Sequence, residues 1–209
     1  MRFLLALAAL AAITARGAAQ DMRSRDQKRE GLVRESLAGQ NVPVLPFTMV
    51  VRDTAVSDSV LLLARPMVMA WADSIIADAL TLRAPEISWL YGAELSRVAR
   101  RGAGMIPEPA KMGQAILRSE KMKTVPDPTR SNFRILAGLA GGRYVFVPAS
   151  VRFHRDSTGS VVATLTAVVA DTRSGAVMWR ANATGHGPDA ATALHATIDY
   201  FLPEQSTTP

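Results

Sequence analysis

From Arg143 onward the apolar spacing has a period of two, in three strand-length runs at 144–153, 161–171 and 176–184. Period two is the spacing of a strand with alternating faces, and it cannot be laid on a helix. The runs are joined by Asp156-Ser157-Thr158-Gly159 and Asp171-Thr172-Arg173-Ser174-Gly175. In each link the aspartate accepts hydrogen bonds from the following backbone amides, and the glycine takes the positive-φ position. Links this short join antiparallel neighbours, so this part of the chain is predicted to form a three-stranded meander.

The rest of the chain supplies helices to cover that sheet. Val68, Trp71, Ala72, Ile75, Ala79 and Leu82 form a stripe one helix face wide, with Pro66 in the first turn and Ala84-Pro85 as the stop. Asp73, Asp78 and Thr81 lie off the stripe and are expected to face water. A near-continuous apolar run over 42–52 predicts a strand covered on both faces. Pro43 and Pro46 lack an N–H, which keeps them out of a central ladder position. A short strand is expected at 87–91, a basic helix around 94–101 and another helix at 110–118. A further helix is expected from Thr129 through Ala140, capped by Thr129 or Asp127 and stopped by Gly141-Gly142. Leu194, Ile198, Phe201 and Leu202 stripe a last helix, capped near Asp189 and ended by Pro203. This order predicts an α/β (α+β) two-layer sandwich, a mixed sheet with helices packed on it.

The amino-terminal residues read as an export signal. Arg2 precedes an eleven-residue apolar run, Phe3 to Ile13, and Gly17-Ala18-Ala19 places small residues before Gln20. Eleven residues make about 16 Å of helix, too short for a hydrocarbon core of roughly 30 Å. The expected organisation is a signal peptide at 1–19, a polar lead-in at 20–41, one domain at 42–202 and a flexible tail at 203–209. The expected location is the periplasm, with no transmembrane segment after cleavage. The chain has no cysteine. That excludes thiol nucleophiles, thiolate metal sites and lipidation at a new amino-terminal cysteine, so outer-membrane association is expected through partners.

Chemistry-bearing patterns are sparse. His154, His186 and His195 are the only histidines, and none has the spacing of a local zinc pair. Each is read as structural or exposed, and no metal or cofactor is expected. There is no Gly-x-Ser-x-Gly elbow. Asp73 and Asp78 are five residues apart, about 140° round a helix, so they are not expected to converge on one atom. Asp53 and Asp58 are read as solvated. Arg101-Gly102-Ala103-Gly104-Met105 has neither the third glycine nor the lysine of a phosphate loop.

Charge is asymmetric only in the middle third. Residues 83–134 hold ten basic against five acidic side chains, and Arg97, Arg100 and Arg101 share one helical side. Aromatic interleaving is absent, so nucleic acid is not the expected partner. A solvated face is the plain reading. Contact with an anionic envelope polymer, phospholipid headgroups or an acidic surface of an envelope protein is the functional one.

Three segments carry a resemblance. Val44-Leu45-Pro46-Phe47, the helix leading to Gly141-Gly142-Arg143-Tyr144-Val145, and the hairpin around Asp171-Thr172-Arg173-Ser174-Gly175 and Trp179 occur in this order. Over about residues 42–202 they resemble the cell-envelope domain shared by curli secretion channel subunits, penicillin-binding-protein activator lipoproteins and the amino-terminal domain of TolB. The resemblance implies an α/β sandwich in which Pro46, Phe47, Gly141, Gly142, Asp171, Gly175 and Trp179 are architectural residues. It implies an exported, non-enzymatic accessory or binding module. The lipidated cysteine and the pore hairpins of some members are missing, so no pore is expected. A β-propeller shares the Asp-x-x-Ser-Gly-x-x-x-Trp pattern but needs it repeated in every blade, and here it occurs once. Trp179 is accordingly expected in the core. The alternatives are an exported hydrolase whose site is assembled from distant residues, such as His154 or His186 with a carboxylate, and a domain that oligomerises through an edge strand.

Overall fold

A computed structural model describes residues 34–203. The expected signal segment, most of the lead-in and the end of the tail lie outside the described residues. Where the described chain begins, Leu37 is buried and the Arg34 guanidinium pairs with Glu86 at 2.9 Å, so this end of the lead-in is part of the folded body.

The meander forms as the turns require. β4 (Tyr144–Arg155), β5 (Val161–Asp171) and β6 (Val177–Gly187) are antiparallel neighbours, and β2 (Val50–Arg52) adds to β4 in parallel. A second, two-stranded parallel sheet joins β1 (Asn41–Pro43) to β3 (Ser88–Leu90). The class is α+β, with helices packed on a mixed sheet.

The apolar run 42–52 is two strands in two sheets, and not one. Pro46 has no N–H to give to a ladder. The next N–H, that of Phe47, is taken by the Asp73 side chain at 2.8 Å. Between β1 and β2 the chain stays tied to β4 by the Val44–Phe146 bridge, the Leu45 N–H to the Phe146 carbonyl, the Thr48 hydroxyl to the Ala149 carbonyl at 3.3 Å and the Val151 N–H to the Met49 carbonyl at 3.0 Å.

Helix α1 (Arg65–Arg83) and the final helix α4 (Ala190–Phe201) cover one face of the four-stranded sheet. Their Ile76, Leu80, Leu194 and Ile198 meet Phe146, Phe153, Leu165 and Val169 in one apolar cluster. Helices α2 (Gly92–Arg100) and α3 (Thr129–Ala140) bring Leu95, Phe133 and Leu136 against Val145, Val147 and Val168 in a second cluster. Alternate residues of β4 and β5 thus serve opposite clusters, and helices flank the sheet on both sides. A register shift between Pro148 and Ser150 reverses the parity of β4, so that Val151 and Phe153 rejoin the first cluster.

Several local expectations change. Leu82 is exposed, whereas Ile76, Ala77 and Leu80 are buried, so the apolar face of α1 is rotated from the expected stripe and widened. Residues 110–118 form two 3₁₀ segments, Pro109–Lys111 and Gln114–Arg118. Gly113 between them takes φ +85°, and a Cβ there would lie 2.4 Å from Thr129 Oγ1. α3 begins after Pro128, and neither Thr129 nor Asp127 caps it through a side chain. Asp189 does cap α4, accepting the Thr192 N–H at 2.8 Å. Gly141 ends α3 at φ +75°.

Candidate functional site

α1 and α2 do not close on each other. The faces they present are built from small side chains, Ala70, Ser74 and Ala77 on α1 and Ser96 and Ala99 on α2. The gap is a cleft of about 930 Å³, floored by Leu45, Pro46 and Pro148 and walled at one end by the 103–110 loop. Its lining is mostly apolar, as in preformed ligand pockets.

Asp73 lines this cleft and does not face water as expected. Its Oδ1 accepts the Phe47 N–H. Burial pushes its carboxyl up to about 7, against the lowering effect of that hydrogen bond. The group is therefore poised between charged and neutral forms near neutrality, and it can either accept or donate a proton inside an apolar wall. The sequence carried a signal for it: Met69, Ile76 and Leu80 lie four before, three after and seven after Asp73, placing the carboxylate on an apolar side of the helix.

Other groups border the same space. Asp78 lines the cleft as well but is exposed. Tyr91, at the start of α2, shares a 3.0 Å hydrogen bond with Thr81 Oγ1, and Arg100 and Glu108 stand on the side of α2 and the loop.

Of the basic trio, Arg97 and Arg100 are exposed on α2. Arg101 is exposed too but donates to the Leu139 carbonyl at 2.9 Å, so it also closes the end of α3. The three histidines do not gather. His154 faces Val162 across the β4–β5 ladder and His186 faces the same Val162 from β6, while His195 is exposed on α4. His186 Nδ1 lies 3.4 Å from Asp156 Oδ2 at an exposed hairpin. None of the three lines the cleft. Among the described residues, no group of three or more His, Asp or Glu side chains is placed to hold a metal ion. No described helix is long and apolar enough to cross a membrane.

The architectural residues act through contacts that spacing alone did not show. Asp171 accepts the Arg173 N–H at 2.9 Å as a turn residue should. It also takes the Arg143 guanidinium through two bonds, 3.0 and 2.5 Å, and the Ser174 hydroxyl at 2.9 Å. The Arg143 hydrogen bond holds the Asp171 carboxyl far below the usual carboxylate range. Gly175 (φ +77°) sits against Arg130, and a Cβ at Gly142 would fall 1.9 Å from the Asn41 carbonyl oxygen. Trp179 packs between Phe146 and Phe201, with ring centroids 6.4 and 5.4 Å away, at the edge of the first cluster.

No protein-family model matches this sequence, and no curated protein matches it. Among solved structures, the chain is similar to the LpoB C-terminal domain from Salmonella enterica, at 15% identity over 76% of this chain and 93% of that one, with a TM-score of 0.40. It is similar to PelC from Paraburkholderia phytofirmans, solved as a dodecamer, at 18% identity over 80% and 90% of the two chains, with a TM-score of 0.39. A lipoprotein from Neisseria meningitidis follows at 12% identity over 71% and 81%, with a TM-score of 0.34.

Proposed function

We propose that this protein is an exported, non-enzymatic accessory or binding module of a cell-envelope assembly, and that the α1–α2 cleft is where a partner group seats. The observation that carries the reading is the cleft itself: an open apolar space between two helices with one half-buried carboxyl, Asp73, pushed up to about 7 by desolvation. Such a wall binds an apolar group and orients it through a single polar contact. Arg100, which lines the cleft, and Arg97, exposed on the same helix, add positive charge suited to an envelope protein or an anionic envelope polymer.

The test is site-specific photocrosslinking in cells, with the reactive group at Ser96 inside the cleft or at Gly138 on the exposed side of α3. Envelope components captured from Ser96 and not from Gly138, with capture weakened by salt, are the expected result. Equal capture from both positions would overturn the assignment of the cleft. Turnover in a broad hydrolase panel that is lost in Asp73→Asn would overturn the non-enzymatic reading.

The hydrolase reading has its own observation, since a carboxyl tuned near neutrality in a cleft is what general acid or base catalysis requires. The same panel decides it. Self-association through β6 is weakened by the way the 117–124 segment covers part of that strand. Arg180 donates to the Leu117 and Met122 carbonyls, and the Val177 N–H to the Lys123 carbonyl.

A further inference from the structure

The chain entering α1 forms a corner that the fold does not cover. Residues 62–67 are exposed without interruption, and five of the six, Leu62, Leu63, Ala64, Pro66 and Met67, are apolar. The three largest are 57%, 44% and 56% exposed. Leu61, just before them, is buried in the main cluster and Val68, just after, returns to it, so the corner is anchored at both ends while its own side chains reach outward.

The corner is flanked by guanidinium groups with no carboxylate partner among the described residues. Arg65, within it, donates to the Thr48 carbonyl at 3.3 Å. Arg118 reaches the same residue, donating to Thr48 Oγ1 at 2.6 Å and to the Ala149 carbonyl at 3.3 Å. Arg52 ties down the carbonyls of Leu61 and Val56. The two arginines on Thr48 are close enough that the Arg65 charge, after burial, lowers the Arg118 pKa, as like charges do when no anion stands between them. Neither Asp58 nor Asp53 forms an ion pair with them. Asp58 spends both oxygens on backbone N–H groups, those of Val60 and Ala190, and Asp53 accepts the Thr54 hydroxyl. Each guanidinium has five N–H donors and uses only part of them on these carbonyls and the hydroxyl.

An outward apolar corner with unpaired cations at its base matches the layering of a lipid interface, where acyl chains lie a few ångströms beneath a layer of phosphates. A protein partner fits less well. Six residues offer far less than the roughly 800 Å² per side that a stable protein interface buries. We infer that the 62–67 corner inserts into an anionic phospholipid surface, with Leu62, Leu63 and Met67 below the headgroups and Arg65 and Arg118 on their phosphates. This is a separate surface from the cleft, and it stands whether or not the cleft binds a partner.

The chain contains no cysteine, so one introduced thiol labels a single place. Full-length Leu63→Cys carrying an environment-sensitive nitrobenzoxadiazole dye is mixed with vesicles of phosphatidylcholine, with or without about one third phosphatidylglycerol. The same label at Gly138→Cys, on α3 across the sheet, serves as the control. The expected result is a blue shift and an emission gain of about two-fold or more at position 63, with anionic vesicles only. High salt should reverse it, Arg65→Gln should weaken it, and position 138 should stay silent. No response at 63 while the protein floats with the vesicles would overturn the inference, because attachment would then lie elsewhere. So would an equal response to phosphatidylcholine alone, or an equal response at 138. An unchanged thermal melt of the labelled chain keeps either result interpretable.

Discussion

Asp73 Oδ1 accepts the backbone N–H of Phe47 at 2.8 Å, and this bond ties the middle of α1 to the break that Pro46 makes between β1 and β2. The amide would otherwise be left without a partner beside the cleft, at a cost of about 1–3 kcal/mol. Its satisfaction requires a carboxyl in a poorly hydrated place, which is why burial pushes Asp73 up to about 7.

A raised folded-state value means that the group favours the native state fully below its unfolded pKa, near 3.8, and that this contribution is lost as pH rises through about 7. Asp73→Asn keeps an oxygen for the Phe47 N–H and cannot ionise. The variant should match the parent near pH 4 and exceed it at higher pH by an amount that levels off above about 7, on the order of 3 kcal/mol. Urea unfolding across that range checks this. A difference that does not change with pH would mean the carboxyl titrates normally.

The Asp171–Arg143 pair should show the opposite pH dependence. Asp171 is held well below its usual value, first by the Arg143 hydrogen bond. Its contribution is present above the unfolded pKa near 3.8 and is lost as pH falls towards the lowered folded value. Asp171→Ala leaves the Arg173 N–H and the Ser174 hydroxyl without their acceptor, while the partly exposed Arg143 guanidinium turns to water. It should cost about 1–3 kcal/mol at neutral pH, read as a lower urea midpoint, with the gap narrowing in acid.

Two glycines at the end of α3 should respond in opposite directions. Gly142→Ala places a methyl 1.9 Å from the Asn41 carbonyl oxygen and forces β1 away from α3, so folded protein should be largely lost. Gly138→Ala meets nothing within 4 Å inside the helix and should raise stability by about 0.5–1 kcal/mol. Thermal melts of the two variants test this.

If the cleft is a preformed apolar pocket, it should take up a small apolar dye such as N-phenyl-1-naphthylamine. Ser96→Trp, which fills the space from α2, should weaken dye binding about ten-fold, or ~1.4 kcal/mol, without lowering stability to match. Fluorescence titration gives both numbers. Undiminished binding in the variant would place the dye elsewhere.

The basic trio should divide. Arg101→Ala removes a donor from the Leu139 carbonyl and should cost about 1 kcal/mol, whereas Arg97→Ala on the exposed side of α2 should stay within about 0.5 kcal/mol. Denaturant midpoints distinguish them.

Features that depend on near neighbours along the chain were legible from the residues. The meander, the Asp171 and Gly175 turn, the stop at Gly141 and the Asp189 cap all arise from dihedral preferences and hydrogen bonds spanning a few residues, and each is where the residues placed it. Trp179, expected in the core, is half-buried and packs at the edge of the first cluster against Phe146 and Phe201. Features that join groups far apart arose on folding: the split of the 42–52 run into two sheets, the rotation of α1 that exposes Leu82, and the opening of a cleft onto Asp73. Helical periodicity names the faces of α1, but which face is buried depends on where the sheet, α2 and α4 already stand. A carboxylate's pKa is likewise set by the water those elements exclude, and no local pattern in the chain encodes that exclusion.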